Sequence, residues 1–171
     1  MDLKKMLRHV PDFPKKGIDF IDVTTVIQNG EAFEYAINEM IKKAEMMGEF
    51  DLVIGAEARG FIFGAPIACA MKKGFVPVRK KGKLPYHTLS VEYELEYGSD
   101  VLEMHKDAVL AGQKVLIVDD LLATGGTCKS NIRLAELSGG EVAGLLFFVE
   151  IAELGGRDLL KGYKAESLIS I

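Results

Sequence analysis

The 171-residue sequence has few cysteines, no surplus of positive charge and no long apolar run, and each shortage excludes a class of protein. Cys69 and Cys128, its two cysteines, lack CxxC spacing and sit in apolar or helix-like surroundings. That argues against a metal site or a disulfide framework and for reduced thiols in a cytoplasmic protein. A net charge of −4 offers no general attraction to nucleic acid or to an anionic membrane, so any anion site has to be local. The opening MDLKKMLRHVPDF lacks the apolar core of a signal peptide, and no segment approaches the length that spans a bilayer. There is no GxxxxGK[ST] loop, no GxGxxG, no internal repeat and no low-complexity linker. His9, His87 and His105 have no metal-ligand spacing and read as surface or packing side chains.

What is present is a sustained alternation of strands and helices. Phe33, Ile37, Met40, Ile41 and Ala44 recur at spacings of three and four, which predicts an amphipathic helix over 31–47. DLVIGAEARGFIFGAPIACAMKKGFVPVRK reads as strand, glycine-bearing loop, helix and strand, a βαβ unit. KVLIVDD is a buried strand, CKSNIRLAELSGG a helix stopped by glycine, EVAGLLFFVEI a further strand and ESLISI a short last one. This order predicts an α/β fold, a mostly parallel central sheet flanked by helices, with its site at the carboxyl ends of the strands. One domain over 1–171 is expected. Residues 1–30 and the polar stretch 80–107 lie outside that core pattern, and the alternation in LSVEYELEY makes the second a projecting hairpin arm. Specificity and gating are expected in these two parts.

The chemistry is concentrated in VLIVDDLLATGGT. Asp119 and Asp120 stand where a central strand ends, and Gly125 and Gly126 stand where the next helix begins. A helix N-terminus presents unpaired N–H groups and a positive dipole end, and glycine lets a phosphate approach closely. Ala123, Thr124, Gly125, Gly126 and Thr127 therefore read as a phosphate cradle with two hydroxyl donors. Carboxylates so near a phosphate would repel it, so Asp119 and Asp120 are expected to accept hydrogen bonds from sugar hydroxyls. A ribose 5-phosphate satisfies both halves. A bare Asp-Asp or Gly-Gly pair would mark only a turn; the whole string on a strand-turn-helix pattern says more.

That string resembles the phosphoribosyl-pyrophosphate signature of type I phosphoribosyltransferases. With PDFPKKGIDFIDVTT, EARGFIFGAPIA, VPVRKKGKLP and LEYGSDVLEMHKDA in the same order, most of the chain is similar to the adenine phosphoribosyltransferase family. The resemblance implies that fold, with residues 1–30 as a hood over the base and residues 80–107 carrying a flexible catalytic loop. It implies formation of AMP and pyrophosphate from adenine and phosphoribosyl pyrophosphate in purine salvage, by a homodimer. It also implies a pyrophosphate loop at Glu57, Ala58 and Arg59, with a cis peptide between the first two. The basic run RKKGK, through Arg79, Lys80 and Lys83, would reach the same pyrophosphate.

The resemblance makes Glu96 of LEYG the proton-transfer group, with Tyr97 beside it in the loop, although the residues alone do not separate Glu96 from Glu92 or Glu94. Phe20 would stack on adenine opposite Leu121 or Leu122, while backbone groups at Asp19 and Ile21 read its edge. Two departures stand out: Ile21 replaces a common arginine, and Thr25 replaces a frequent proline. If only the main chain at Ile21 touches the base, the first change is mild; if the arginine covers the base, adenine affinity or specificity is altered. Magnesium is implied by the resemblance and by the dense charge of pyrophosphate, held mainly through substrate oxygens with no dedicated protein ligand. A regulatory module binding nucleic acid would need a basic surface that this acidic chain lacks.

Overall fold

The computed structural model describes residues 1–94 and 99–171 of the chain. Near the N-terminus, β1 (Arg8–Pro11) and β2 (Asp19–Asp22) pair antiparallel as a ribbon of their own. A single-turn helix α1 (Thr24–Ile27) follows, tied down where Thr25 Oγ1 donates to Met6 O at 2.6 Å. Helix α2 (Gly30–Met46) then covers the predicted amphipathic segment, one residue earlier at each end. Asn29 Oδ1 caps it by accepting from Ala32 N at 3.0 Å, which satisfies one of the donors a helix start leaves open.

The main sheet is built from β3 (Leu52–Ala56), β4 (Gly74–Lys80), β5 (Thr88–Glu94), β6 (Ser99–His105), β7 (Lys114–Leu122), β8 (Glu141–Glu150) and β9 (Ala165–Ser170). Its order is β5-β6-β4-β3-β7-β8-β9. The run from β4 to β9 is parallel, and the antiparallel arm β5-β6 is joined to the edge of β4 by pairing of Arg79 with Glu103 and Lys80 with Leu102.

Strand alternation sends side chains to two cores. Val53, Leu116, Val118, Leu146 and Phe148 face α2 and α3 (Arg59–Ala70), while Ile54, Val115, Ile117, Leu145 and Phe147 face α4 (Gly126–Leu137). Such a sheet, covered on both faces, explains why these strands read as continuous apolar runs rather than alternating ones. Phe63 of α3 stacks on Phe148 at 4.7 Å between ring centroids, both fully buried.

The topology then dictates where chemistry collects. Because β4, β3 and β7 are parallel neighbours, their carboxyl ends lie side by side: residues 79–83, the loop at 57–58 and the turn at 123–125 emerge on one edge. The expected strand KVLIVDD runs two residues further, through Leu121 and Leu122, because these pair with Val149 and Glu150 of β8. Asp119 and Asp120 are therefore inside the strand, and they are buried.

Candidate active site

Helix α4 begins one residue after Gly125, which adopts φ +88 at the N-cap, and no side chain caps the helix. Its first-turn N–H groups are thus left for a ligand. Residues 121–128 line a cleft of about 70 Å³ at this turn. Thr124 is exposed and Thr127 half-buried at its mouth. Residues 123–127, which the sequence suggests as a phosphate cradle, lie together at this turn, with Leu121 at its upstream end.

Asp119 and Asp120 stand directly before it. Burial first, and then the neighbouring Asp120 charge, push the Asp119 carboxyl well above its ordinary range. Asp119 Oδ1 accepts from Asp120 N at 2.9 Å. The start of α3 packs onto this carboxylate so closely that a Cβ on Gly60 would stand 2.9 Å from Asp119 Oδ1. That approach lets the preceding residue, Arg59, donate from Nε to the Asp120 carboxylate. Burial opposes the Arg59 charge, but Asp120 and Asp119 outweigh it and raise its pKa.

On the other side of the loop, the peptide between Glu57 and Ala58 is cis. Glu57 Oε1 accepts from Lys80 N at 2.5 Å and Glu57 Oε2 from Lys83 Nζ at 2.9 Å, while Arg79 Nε stands 3.6 Å away as an ion pair beyond hydrogen-bonding distance. Burial works against the Glu57 charge, yet the Lys83 and Lys80 hydrogen bonds and the nearby cations hold its pKa below the ordinary value. Lys80 contributes only its backbone here: its ammonium pairs with Asp100 of the arm at 2.9 Å. Two carboxylates, a cradle and a group of cations thus meet along one strand edge.

Comparison with known proteins identifies the family. A family model described as phosphoribosyl transferase domain matches residues 23–168. A curated adenine phosphoribosyltransferase of Acetivibrio thermocellus is 66% identical, covering 99% of this chain and 99% of its own length. The crystal structure of adenine phosphoribosyltransferase from Thermoanaerobacter pseudethanolicus is 56% identical, with a TM-score of 0.95 and coverage of 99% and 98%. A Saccharomyces cerevisiae adenine phosphoribosyltransferase, solved with an imino-altritol bisphosphate and adenine, is 38% identical with a TM-score of 0.90, covering 98% of this chain and 96% of that one. The chain belongs to the adenine phosphoribosyltransferase family. It is a pentosyltransferase.

The β1-β2 ribbon approaches Arg59 through Phe20. Its ring lies edge-on to Phe13 at 5.3 Å, and the Arg59 guanidinium carbon stands 5.7 Å from its centroid. One arginine therefore touches both the expected base platform and the expected ribose acid. Asp19 Oδ2 lies 2.6 Å from His9 Nδ1, so His9 is a surface side chain, as expected, with a partner. The Ile21 side chain points into the core and is 5% exposed, and its main chain is in register with His9 of β1. Glu96 and Tyr97 lie outside the described residues.

Several residues around the site were not singled out from the sequence. Asp22 accepts from Thr24 N at 2.9 Å and Thr24 Oγ1 at 2.6 Å and pairs with Arg8 at 3.3 Å. Those Thr24 hydrogen bonds, above all, lower its pKa, and Arg59 adds to the effect. An acid two residues before a threonine at a helix start is a legible local motif. Glu103 and Gly156, by contrast, reach the site from distant strands and turns, where spacing in the sequence says nothing.

Proposed function

We propose that the chain transfers the 5-phosphoribosyl group from phosphoribosyl pyrophosphate to adenine, releasing AMP and pyrophosphate in purine salvage. The observation that carries this reading is the buried pair Asp119 and Asp120 directly before the open cradle, linked through Arg59 to Phe20. In the reaction the bond from sugar C1 to the pyrophosphate oxygen breaks, its electrons leave with pyrophosphate, and adenine N9 bonds to C1 and loses its proton. Residues 123–127 bind the 5-phosphate through backbone N–H groups and the threonine hydroxyls. Asp119 and Asp120 accept from the ribose hydroxyls and lie near the cationic charge that develops on the sugar. Arg59, Arg79, Lys83 and the backbone at Glu57 and Ala58 hold pyrophosphate; Lys80 reaches it only if its pairing with Asp100 opens. Glu96 takes the base proton, and loop closure around Tyr97 excludes water from the reactive sugar.

Phe20 supplies stacking for adenine against Leu121, and the main chain at Asp19 and Ile21 supplies discrimination. The buried Ile21 side chain supports the milder reading of that departure, in which only its backbone meets the base. Magnesium, when bound, neutralises the charge on the departing pyrophosphate. No group of three or more His, Cys, Asp or Glu side chains among the described residues is placed to hold a metal ion. That suits an ion that would be held mainly by substrate oxygens and water, with no dedicated protein ligand. We further read the protein as a cytoplasmic homodimer acting on small molecules; no helix among the described residues is long and apolar enough to cross a membrane.

An AMP-forming assay run in parallel with adenine, hypoxanthine, guanine and xanthine tests the function. Adenine is expected to be turned over and the others far more slowly; no turnover of adenine would end the proposal. Sedimentation equilibrium is expected to give a dimer mass, and a fully active monomer would remove that part.

A further inference from the structure

Behind the cradle lies a turn that none of the roles above uses. A 3-10 turn, Gly156–Leu160, follows β8 and begins with the buried Gly156. A Cβ on Gly156 would stand 2.3 Å from Ala123 O and 2.9 Å from Leu122 Cδ1. Reciprocally, a Cβ on Gly125 would stand 2.8 Å from Gly156 O. The tightest of these contacts are with backbone oxygens, so no side chain can turn aside to relieve them. Gly156 is not in the left-handed region, and its need for glycine arises from space alone.

The turn is also prevented from retreating. Arg157 donates from Nε and Nη2 to Glu150 Oε1 and Oε2 at 2.6 and 2.7 Å, and from Nη1 to Ala165 O at 2.7 Å. Ser167 Oγ donates to Glu150 Oε2 at 2.7 Å. Glu150 is itself 7% exposed and is the register partner of Leu122, the residue before the cradle. Ile151 N donates to Leu122 O at 2.9 Å. The planar, bidentate guanidinium fixes position as well as charge.

We propose that Gly156, fixed by Arg157 and Glu150, is a positioning residue for the 5-phosphate cradle. It sets the height of the backbone at 123–125 and thereby the affinity for a phosphate on the sugar C5, while touching neither pyrophosphate nor base. This rests on the reading of residues 123–127 as that cradle.

The test is Gly156→Ala, titrated calorimetrically with ribose 5-phosphate and with AMP, alongside inhibition by pyrophosphate and the KM for adenine. Affinity for ribose 5-phosphate and AMP is expected to fall by about tenfold or more, because a misplaced binding loop loses several aligned donors together. Pyrophosphate inhibition and the adenine KM are expected to stay within about twofold, since their partners are elsewhere. Arg157→Lys keeps Gly156 and the charge but loses the bidentate geometry; it should show a smaller loss with the same selectivity, and it serves as the test if Gly156→Ala does not fold. Unchanged ribose 5-phosphate affinity, or equal losses for ribose 5-phosphate and pyrophosphate, would overturn the inference. Wild-type protein that binds neither ribose 5-phosphate nor AMP would overturn the cradle itself; if wild type binds both, the comparison judges Gly156 alone.

Discussion

Arg59, at the first position of α3, donates to the carboxylate of Asp120 inside β7 while its guanidinium lies over the ring of Phe20. The pairing places one cation between two buried acids and the β1-β2 ribbon, so removing it disturbs more than a single contact. Arg59→Gln leaves Asp119 and Asp120 without their nearest positive charge. The KM for phosphoribosyl pyrophosphate is expected to rise about 10- to 100-fold, the equivalent of about 1.5–3 kcal/mol for a charge-assisted hydrogen bond. Steady-state kinetics at saturating adenine would show it, and a change under twofold would remove Arg59 from the site.

Asp119 should trade stability against function. A carboxyl whose pKa is higher folded than unfolded holds its proton more tightly when folded, so it subtracts stability as pH rises above its ordinary 3.8. Asp119→Asn keeps an oxygen to accept from Asp120 N and carries no charge. The variant is expected to resist guanidinium better than wild type at about pH 8, with the advantage vanishing near about pH 4, and to bind phosphoribosyl pyrophosphate more weakly throughout. Denaturation curves across that range decide; an advantage independent of pH would mean that the charge on Asp119 is not its source.

Proton transfer by Glu96 makes a separate prediction. Of its sequence neighbours, Glu92 already accepts from Ser99 Oγ at 2.5 Å, which ties it to the arm. Glu96→Ala is expected to lower kcat by about 10²- to 10⁴-fold, the usual range for a positioned acid or base, with little change in phosphoribosyl pyrophosphate affinity. Turnover near wild type would reassign the role.

How much of this was readable in advance depends on how local each signal is. The parallel α/β class and the strand-turn-helix around residue 125 follow from runs such as KVLIVDD and from Gly125, whose positive φ and helix-start position are both short-range features; the strand order does not. The amphipathic stripe of α2 is equally local. What the sequence hid is set by contacts between distant segments: Gly60 under Asp119, Gly156 against Ala123, and Lys80 turned toward Asp100 instead of the loop at Glu57. Ile21 was ambiguous because the resemblance does not say whether the main chain alone, or the side chain as well, meets the base at that position. The structure puts its side chain inside the core, a placement that only the packed fold reveals.

The basic run at 79–83 is held from two sides by acids, and the second acid gives the last prediction. Glu57 fixes Lys80 N and Lys83 Nζ, while Glu103 Oε2 accepts from Gly82 N at 2.9 Å and Glu103 Oε1 from Ser90 Oγ at 3.2 Å. Glu103 is 7% exposed and has no ion-pair partner among the described residues, so its position is set by these two neutral donors. Gly82 has φ +79, a turn that places Lys83 back over Glu57. Glu103→Ala frees that turn and is expected to raise the KM for phosphoribosyl pyrophosphate about tenfold while kcat falls less, since positioning is lost rather than chemistry. Glu103→Gln retains an acceptor for the Gly82 N–H and should restore most of the affinity. Hydrogen exchange at the Gly82 amide should be protected in wild type and Glu103→Gln and fast in Glu103→Ala. If the alanine variant lost thermal stability yet kept its KM and its amide protection, Glu103 would be packing alone and the basic turn would owe its shape to Glu57.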